Sequence, residues 1–301
     1  MGKKNRWLWS LSLALLAWGF IVFQLRNNEG LFNDIKAEMG SFMVDHSLLC
    51  SVLLLMAALN WGVESYKWKL WIERFEDIGF GECVVSVLRG LAFSLIIPRA
   101  IGEFTGRIYE FKNKYKASTA LLINKSASYL VTFLFGLLGL SQLLNEINLP
   151  FDSIRIFVGV LFLILLTSWV LRKKVVAWLP DGLLEKFRIG IEKGDVKILN
   201  LTLLRYLVFT SQYLIILSVF AENFTVLQLF WGVTVVYFIK SSFITINAIG
   251  DLGIREGAAL FVFAQLGLCN STILSAGLLL WVINLLIPSL VGAFLFIFAR
   301  R

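Results

Sequence analysis

The sequence predicts an all-α polytopic membrane protein with six full spans and two re-entrant helical hairpins, arranged as an inverted repeat. Three observations support this fold class: the apolar composition, the distribution of basic residues between apolar runs, and a charged motif that occurs twice. The chain has 301 residues, of which 58% are hydrophobic and only 16% are charged. Soluble domains are about 45–50% apolar and about 25% charged, so lipid must solvate much of this chain.

The six predicted spans are apolar runs of near-bilayer length. The first covers residues 7–25, which is about 28 Å of helix. It follows a basic N-terminus, and no small-residue cleavage site comes after it, so we interpret it as a retained span and not as a signal peptide. The other five spans cover residues 47–63, 118–144, 154–171, 198–220 and 272–298. Two further apolar groups, 84–111 and 226–268, are interrupted by glycine and by charged residues.

Basic residues in the loops predict the orientation. If the N-terminus is inside, the inner loops carry 18 Lys and Arg residues, whereas the outer loops, of which 26–46 is the first, carry two. The positive-inside rule therefore favours cytoplasmic N- and C-termini. Segments 64–83 and 108–117 are both basic, so the group 84–111 between them must enter from the cytoplasm and return to it. By the same reasoning, the group 226–268 enters from the outside and returns there.

The tips of the two predicted hairpins carry the same motif, in which a glycine is followed by an acid one residue later and by an arginine five residues later. The two tips read Gly102-Glu103-Phe104-Thr105-Gly106-Arg107 and Gly250-Asp251-Leu252-Gly253-Ile254-Arg255. The two leading glycines are 148 residues apart, and the flanking spans repeat with nearly the same offset. The single transmembrane domain 1–301 therefore divides into repeats 1–147 and 148–301, each made of span, span, hairpin and span.

Because each repeat crosses the membrane an odd number of times, the second repeat is inverted relative to the first. Inverted repeats with broken helices are typical of transporters, whose substrate sites lie at the broken segments. We therefore predict a substrate site at the two tips and at two lysines near them. The predicted site residues are Arg99, Gly102, Glu103, Arg107, Lys125, Lys240, Gly250, Asp251, Gly253, Arg255 and Glu256.

The spacing within the tips predicts two ion pairs. If the return arms are helical, Glu103 and Arg107 are i,i+4 neighbours, and so are Asp251 and Arg255. These pairs either bind a ligand or only hold the hairpins together. By this spacing Arg99 and Glu256 have no partner within the motif, which makes them the better candidates for ligand contact.

Arginine side chains together with the exposed N–H groups of a helix N-terminus suit a phosphate. Lys125 and Lys240 lie in or near apolar runs and are therefore included in the predicted site. Arg205, by contrast, is expected to lie at a membrane interface.

No motif for catalysis or for metal binding is present. The three cysteines, Cys50, Cys83 and Cys269, lack ligand spacing, and His46 is the only histidine. We therefore expect no enzyme activity, no metal and no cofactor. The sequence has no P-loop, so ATP alone is not expected to drive transport. The net charge of +8 lies in short patches between apolar runs, which favours anionic lipid headgroups over nucleic acid.

The two tip segments resemble the signatures of a known family. Residues Gly250 through Gly257 resemble its G-G-L-G-V-R-E-G signature, and Pro98 through Arg107 resemble its P-x-x-x-G-E…R signature. The family is the flippase-like transmembrane domain of bacterial lysylphosphatidylglycerol synthases and of their stand-alone homologues. The resemblance covers nearly the whole chain. Because the chain ends at Arg301 directly after its last predicted span, we expect no aminoacyl-transferase domain and no synthase activity.

The resemblance implies a protein of the bacterial inner membrane that moves a phospholipid or a lipid-linked headgroup between leaflets. In this hypothesis Arg99, Arg107 and Arg255 hold a phosphate, and the neighbouring acids balance charge or contact an amine. The expected partner is an anionic or zwitterionic phospholipid or a polyprenyl phosphate. A homodimer and a lipid-modifying enzyme partner stay open. The alternative functions are a secondary transporter of a small anionic solute and a non-catalytic membrane partner of a glycosyltransferase or synthase acting on lipid carriers.

Overall fold

The computed structural model describes residues 30–96, 99–146, 195–221, 223–242 and 248–298. This part of the chain is helical and contains no strand, which confirms the all-α class. Its helices are α1 (Leu31–Asp45), α2 (Ser47–Ile72), α3 (Phe80–Ile96), α4 (Arg99–Ile108), α5 (Lys114–Glu146), α6 (Asp195–Phe220), α7 (Val226–Ser242), α8 (Ala248–Gln265), α9 (Asn270–Trp281), a π-helical segment (Val282–Leu286) and α10 (Ile287–Phe298).

Four stretches of the described chain are long and apolar enough to cross a bilayer. They are Ser47–Ile72, Lys114–Leu143, Val196–Phe220 and Asn270–Ile297. They coincide with four of the six predicted spans, and the chain is therefore a multi-pass membrane protein. The other two predicted spans, 7–25 and 154–171, lie outside the described residues.

Helices α3 and α4 form an antiparallel pair where the first hairpin is predicted. Gly90 on α3 and Gly106 on α4 lie at their crossing, where a Cβ added to Gly106 would be 2.7 Å from the Cα of Gly90. The two backbones meet this closely because neither residue has a side chain. Ser86 Oγ also donates a hydrogen bond to the carbonyl of Arg107 at 2.7 Å. The pair is thus held together along its length.

Helices α7 and α8 form a second antiparallel pair, at the position of the second predicted hairpin. Gly232 on α7 lies against Phe263 on α8, and Lys240 lies 3.1 Å from Asp251, where α7 ends and α8 begins. An antiparallel helical pair therefore lies at each predicted position, and the re-entrant course of both pairs stays a prediction. Their insertion from opposite membrane faces, and the inverted symmetry of the two repeats, stay predictions.

Two segments that we predicted as loops are helical. Helix α1 lies in the predicted outer loop 26–46, and its buried residues Leu31, Ile35 and Phe42 pack with α9 and α2. Helix α2 continues to Ile72, well past the predicted end of its span at residue 63. The reason is that Trp68, Trp71 and Ile72 extend its buried face, and the charged residues between them are paired with other side chains.

The π-helical segment ties the last span to α2. The carbonyl of Asn284 accepts a hydrogen bond from Trp61 Nε1 at 2.9 Å, and its side-chain oxygen lies 3.4 Å from Asn60 Nδ2. Short π-helical segments inside α-helices occur frequently at functional sites. This segment fixes Trp61, whose ring centre lies 5.0 Å from the guanidinium of Arg205.

Candidate functional site

Six charged residues from four helices meet in the interior of the described bundle, and we call them the basic cluster. They are Glu64 and Lys67 on α2, Glu103 and Arg107 on α4, Lys125 on α5, and Arg205 on α6. Glu64 lies at the centre. Its Oε1 is 2.8 Å from Arg107 Nη1, and its Oε2 is 3.0 Å from Lys67 Nζ and 3.3 Å from Arg205 Nη1. The cluster therefore joins the first hairpin to three spans.

Glu103 is the second carboxylate of the basic cluster. Its Oε1 lies 2.8 Å from Arg107 Nη2 and 2.6 Å from Lys125 Nζ. The pairing of Glu103 with Arg107 confirms the i,i+4 contact that the spacing predicts. Because Arg107 also contacts Glu64, its guanidinium bridges the two carboxylates with two different nitrogens.

The basic cluster carries more positive than negative charge. Its four cationic side chains face two carboxylates, which leaves a formal charge of +2 on these six residues. Lys67 and Arg107 are fully buried, whereas Lys125 and Arg205 keep 30% and 23% of their side chains exposed. Ionised groups at the bilayer centre cost about 2.5–3.5 kcal/mol each on insertion scales. The surplus cations are therefore an expensive feature for a cluster that only stabilises the fold.

Aromatic rings and unused donors surround the guanidinium groups. Arg107 lies 5.8 Å from the ring centre of Trp68, and Arg205 lies 5.0 Å from that of Trp61. These contacts hold the two groups by cation–π attraction. The Nε atoms of Arg107 and Arg205 are buried and have no hydrogen-bond partner among the described residues. Both residues thus keep an N–H donor that an incoming anion could use.

The charged residues of the second tip make a separate set of pairs. Lys240 contacts Asp251 at 3.1 Å, and Arg255 Nε donates to Glu256 Oε1 at 2.9 Å. Arg255 Nη2 also donates to the carbonyl of Gly277 at 2.7 Å. The expectation that Glu256 lacks a partner is therefore wrong. Helical spacing brings together residues one turn apart, but these two long side chains are adjacent on α8 and still reach each other.

The predicted pair of Asp251 with Arg255 is replaced by these other contacts. Asp251 is reached by Lys240 from the opposite helix of the pair, and Arg255 is turned toward α9.

The remaining predicted site residues lie on α4 and α8. Gly250 lies in the first turn of α8, and Gly253 is buried one turn later. Gly102 lies on α4 beside the carbonyl of Phe93, and Arg99 is the first residue of α4, with a side chain outside the described part.

Three members of the basic cluster are absent from the predicted site. Glu64 and Lys67 fall in what we predicted to be an inner loop, and Arg205 was expected at an interface. A signal for the first two exists in the sequence. Glu64, Lys67 and Trp68 recur at helical spacing after the apolar run, which is the pattern of a helix that continues. For Arg205, nothing local predicts a contact with a residue of another span.

Nothing in the described part of the chain resembles a metal centre, because no three His, Cys, Asp or Glu side chains converge there. What the basic cluster offers instead is positive charge, planar guanidinium donors and a partly accessible lysine. This set of groups suits a phosphate, a carboxylate or a similar anion.

Comparison with known proteins identifies the family. The sequence model described as lysylphosphatidylglycerol synthase TM region matches residues 7–292, nearly the whole chain. A comparison with curated proteins gives no match. The family match agrees with the resemblance seen at the two tips and covers both predicted repeats. The chain therefore belongs to the family of the lysylphosphatidylglycerol synthase transmembrane region.

Proposed function

We propose that this protein is a lipid flippase or translocase that moves a phospholipid or a lipid-linked headgroup between the leaflets of the bacterial inner membrane. The observation that carries the proposal is the surplus positive charge of the basic cluster, buried where spans and a hairpin meet. A lipid that crosses the membrane must bring its phosphate through this depth. The surplus cations would provide a temporary counter-charge there.

The burial of the four cations in the basic cluster suggests two different roles for them. Lys67 and Arg107 are fully buried against the two carboxylates and would organise the site. Lys125 and Arg205 are partly exposed, so a phosphate approaching from the lipid side would meet them first. The free Nε donor of Arg205 would then permit a bidentate contact with two phosphate oxygens.

The two helical hairpins suggest how the site could open alternately to the two leaflets. In transporters with inverted repeats, one half rocks against the other around a site at the broken helices. Here α4 supplies Glu103 and Arg107 to the basic cluster, so movement of the first hairpin would change the cluster directly. Under this proposal the N- and C-termini are cytoplasmic, and the protein moves its substrate without breaking or forming a covalent bond.

A translocation assay tests the proposal. Purified protein is reconstituted into liposomes that carry a fluorescent phosphatidylglycerol or phosphatidylethanolamine, and a membrane-impermeant reductant reports which leaflet holds the probe. We expect wild type to move at least one of these probes and Lys125→Ala to slow it about 10-fold or more, given the 1.5–3 kcal/mol typical of a charged hydrogen bond. Lys114→Ala, an exposed lysine at the start of the same helix, is the matched control and should behave as wild type.

Other results of this assay would favour the alternatives. Equal probe movement in protein-free and protein-containing liposomes, for several headgroups, contradicts lipid translocation. Ion-driven uptake of a small anion in the same vesicles would then favour the solute transporter. Co-purification of a lipid-modifying enzyme, with no effect of Lys125→Ala on that enzyme, would favour the non-catalytic partner.

A further inference from the structure

A second buried ion pair, Arg255 with Glu256, lies away from the basic cluster and is enclosed by several helices. Glu256 is 2% exposed and Arg255 6% exposed. Tyr213 on α6 and Tyr237 on α7 lie within electrostatic range of the pair, and their rings stack at 6.1 Å. Helix α9 closes the remaining side through Gly277. The pair is therefore buried between helices in this conformation.

Within the part of the chain that the structure describes, three polar atoms around this pair have no hydrogen-bond partner. They are Glu256 Oε2 and the hydroxyl oxygens of Tyr213 and Tyr237, and all three are buried. One carboxylate oxygen thus receives two contacts from Arg255, while the other oxygen has none. A buried polar group without a partner costs about 1–3 kcal/mol, and more if it is charged. Such groups call for an explanation beyond stability, such as a ligand that binds only in part of a cycle.

Helix α9 is shaped to admit the unpartnered oxygen. A Cβ added to Gly277 would lie 1.8 Å from Glu256 Oε2 and 2.4 Å from the carboxyl carbon. Any side chain at this position would therefore displace the carboxylate. The same residue accepts a hydrogen bond from Arg255 through its carbonyl. Gly277 thus positions both members of the pair with its backbone alone.

The charges around Glu256 are balanced among the described residues. Arg255 neutralises Glu256, and on the same hairpin Lys240 pairs with Asp251. Helix α9 contributes no titratable side chain, and α6 and α7 contribute the neutral hydroxyls of Tyr213 and Tyr237. Helix α3, which also contacts α8, carries Arg89, and this residue is paired with Glu110. One added proton would therefore change the local charge from zero to +1.

We propose that Glu256 is a proton-binding site, and that its protonation releases Arg255 to bind an anion. A proton from the aqueous phase would bind the carboxylate, which then no longer attracts the guanidinium as an ion. Arg255 would keep its contact to the carbonyl of Gly277 and gain a free side for a phosphate or carboxylate. Departure of the anion and of the proton would restore the pair.

This arrangement would couple proton movement to substrate movement, so that a proton gradient could drive transport. The coupling rests on the proposed function, because it needs a transported anion. Proton binding by Glu256 does not depend on it and can be measured on the purified protein alone. The two parts can therefore fail separately.

Infrared difference spectroscopy tests proton binding directly. Purified protein in lipid nanodiscs is titrated, and the C=O stretching band of protonated carboxylic acids is followed. We expect a band at higher wavenumber than that of exposed acids, because the Glu256 carboxyl is buried and one of its oxygens has no hydrogen bond. Glu256→Gln should remove this band. Glu73→Gln, which changes a surface acid paired with Lys69, should leave it unchanged.

Tyr213→Phe and Tyr237→Phe provide a second test that retains the acid. Neither hydroxyl has a hydrogen-bond partner in the described structure, so these variants should fold. Both hydroxyls are polar groups within electrostatic range of the carboxylate, so replacing either one by hydrogen makes the surroundings of Glu256 less polar. Less polar surroundings disfavour the ionised carboxylate, so the midpoint of the band should move to higher pH. Identical spectra for wild type and Glu256→Gln overturn the proposal. If Glu256→Gln does not fold, an unchanged midpoint in both tyrosine variants overturns it.

The coupling is tested in the translocation assay with a pH gradient across the liposome. Wild type should move its probe several-fold faster with the gradient in one direction than in the other, and Glu256→Gln should lose this difference. Translocation that ignores the gradient in wild type overturns the coupling and leaves the flippase proposal intact. If no probe moves under any gradient, the proposed function fails, and the spectra still decide whether Glu256 binds a proton.

Discussion

Arg107 donates a hydrogen bond to Glu64 at 2.8 Å, and both side chains are almost completely buried although they lie on different helices. This contact attaches the return helix of the first hairpin to the span α2. Lys67 and Arg205 contact the same carboxylate, so Glu64 is the common counter-ion of three cations. The position of the hairpin therefore depends on one acid that does not belong to either tip motif.

Glu64→Gln should destabilise the fold strongly. The substitution keeps the shape of the side chain but removes the negative charge from Lys67, Arg107 and Arg205. Breaking a buried ion pair by removing one partner typically costs about 3–5 kcal/mol. Thermal unfolding in detergent should report this as a large drop in Tm. Glu73→Gln, which alters an exposed pair with Lys69, should change stability by about 1 kcal/mol or less. Equal Tm values for the two variants contradict this role of Glu64.

Gly106→Ala should force the first hairpin apart. The added methyl group would lie 2.7 Å from Gly90 Cα and 2.8 Å from the carbonyl oxygen of Arg89, both of which are backbone atoms that cannot rotate away. Overpacking of this kind costs about 1–3 kcal/mol. Gly81→Ala is the matched control on α3, because a Cβ there meets nothing within 4 Å. We expect a lower Tm only for Gly106→Ala, and a Tm equal to that of the control would show that the crossing can relax.

The pairing of Glu103 with Arg107 was predictable from the sequence because it is local, and helical spacing determines which residues meet. The contacts of Glu64 were not predictable in this way. They join residues of different spans, and their register depends on how the helices pack. Charged residues that follow an apolar run fit either a loop at the interface or a continuing helix with paired charges. Glu64 and Lys67 belong to the second kind.

The second tip illustrates a different limit of sequence reasoning. Adjacent residues on a helix point about 100° apart, so Arg255 and Glu256 were not expected to pair. The two side chains meet because a neighbouring helix packs closely against them and turns both to the same side. This neighbour is the backbone of α9 at Gly277, and its close approach to Arg255 and Glu256 depends on tertiary packing. The presence of several charged residues at this tip was visible in the sequence, but their partners were not predictable.

Arg205→Ala should weaken binding of anionic lipid without unfolding the protein. Arg205 is partly exposed and is one of three cations around Glu64, so its loss leaves that carboxylate paired with Lys67 and Arg107. Native mass spectrometry of the purified protein should show less retained phosphatidylglycerol or polyprenyl phosphate than wild type retains. Arg74→Ala, at a basic residue beyond the end of α2 and stacked on Trp71, serves as the comparison. Similar lipid retention in wild type and Arg205→Ala would remove Arg205 from the proposed site.

Gly277→Ala should disturb the second ion pair through Glu256 alone, and a double substitution can prove it. The methyl group would overlap the carboxylate, at 1.8 Å from Oε2, so we expect a loss of about 1–3 kcal/mol in stability. Glu256→Ala removes the side chain with which the methyl group collides. The double variant Gly277→Ala/Glu256→Ala should therefore be no less stable than Glu256→Ala, because residues in direct contact give non-additive effects. If the two losses add in full, Gly277 acts on another part of the structure, and the close approach of α9 does not serve to position Glu256.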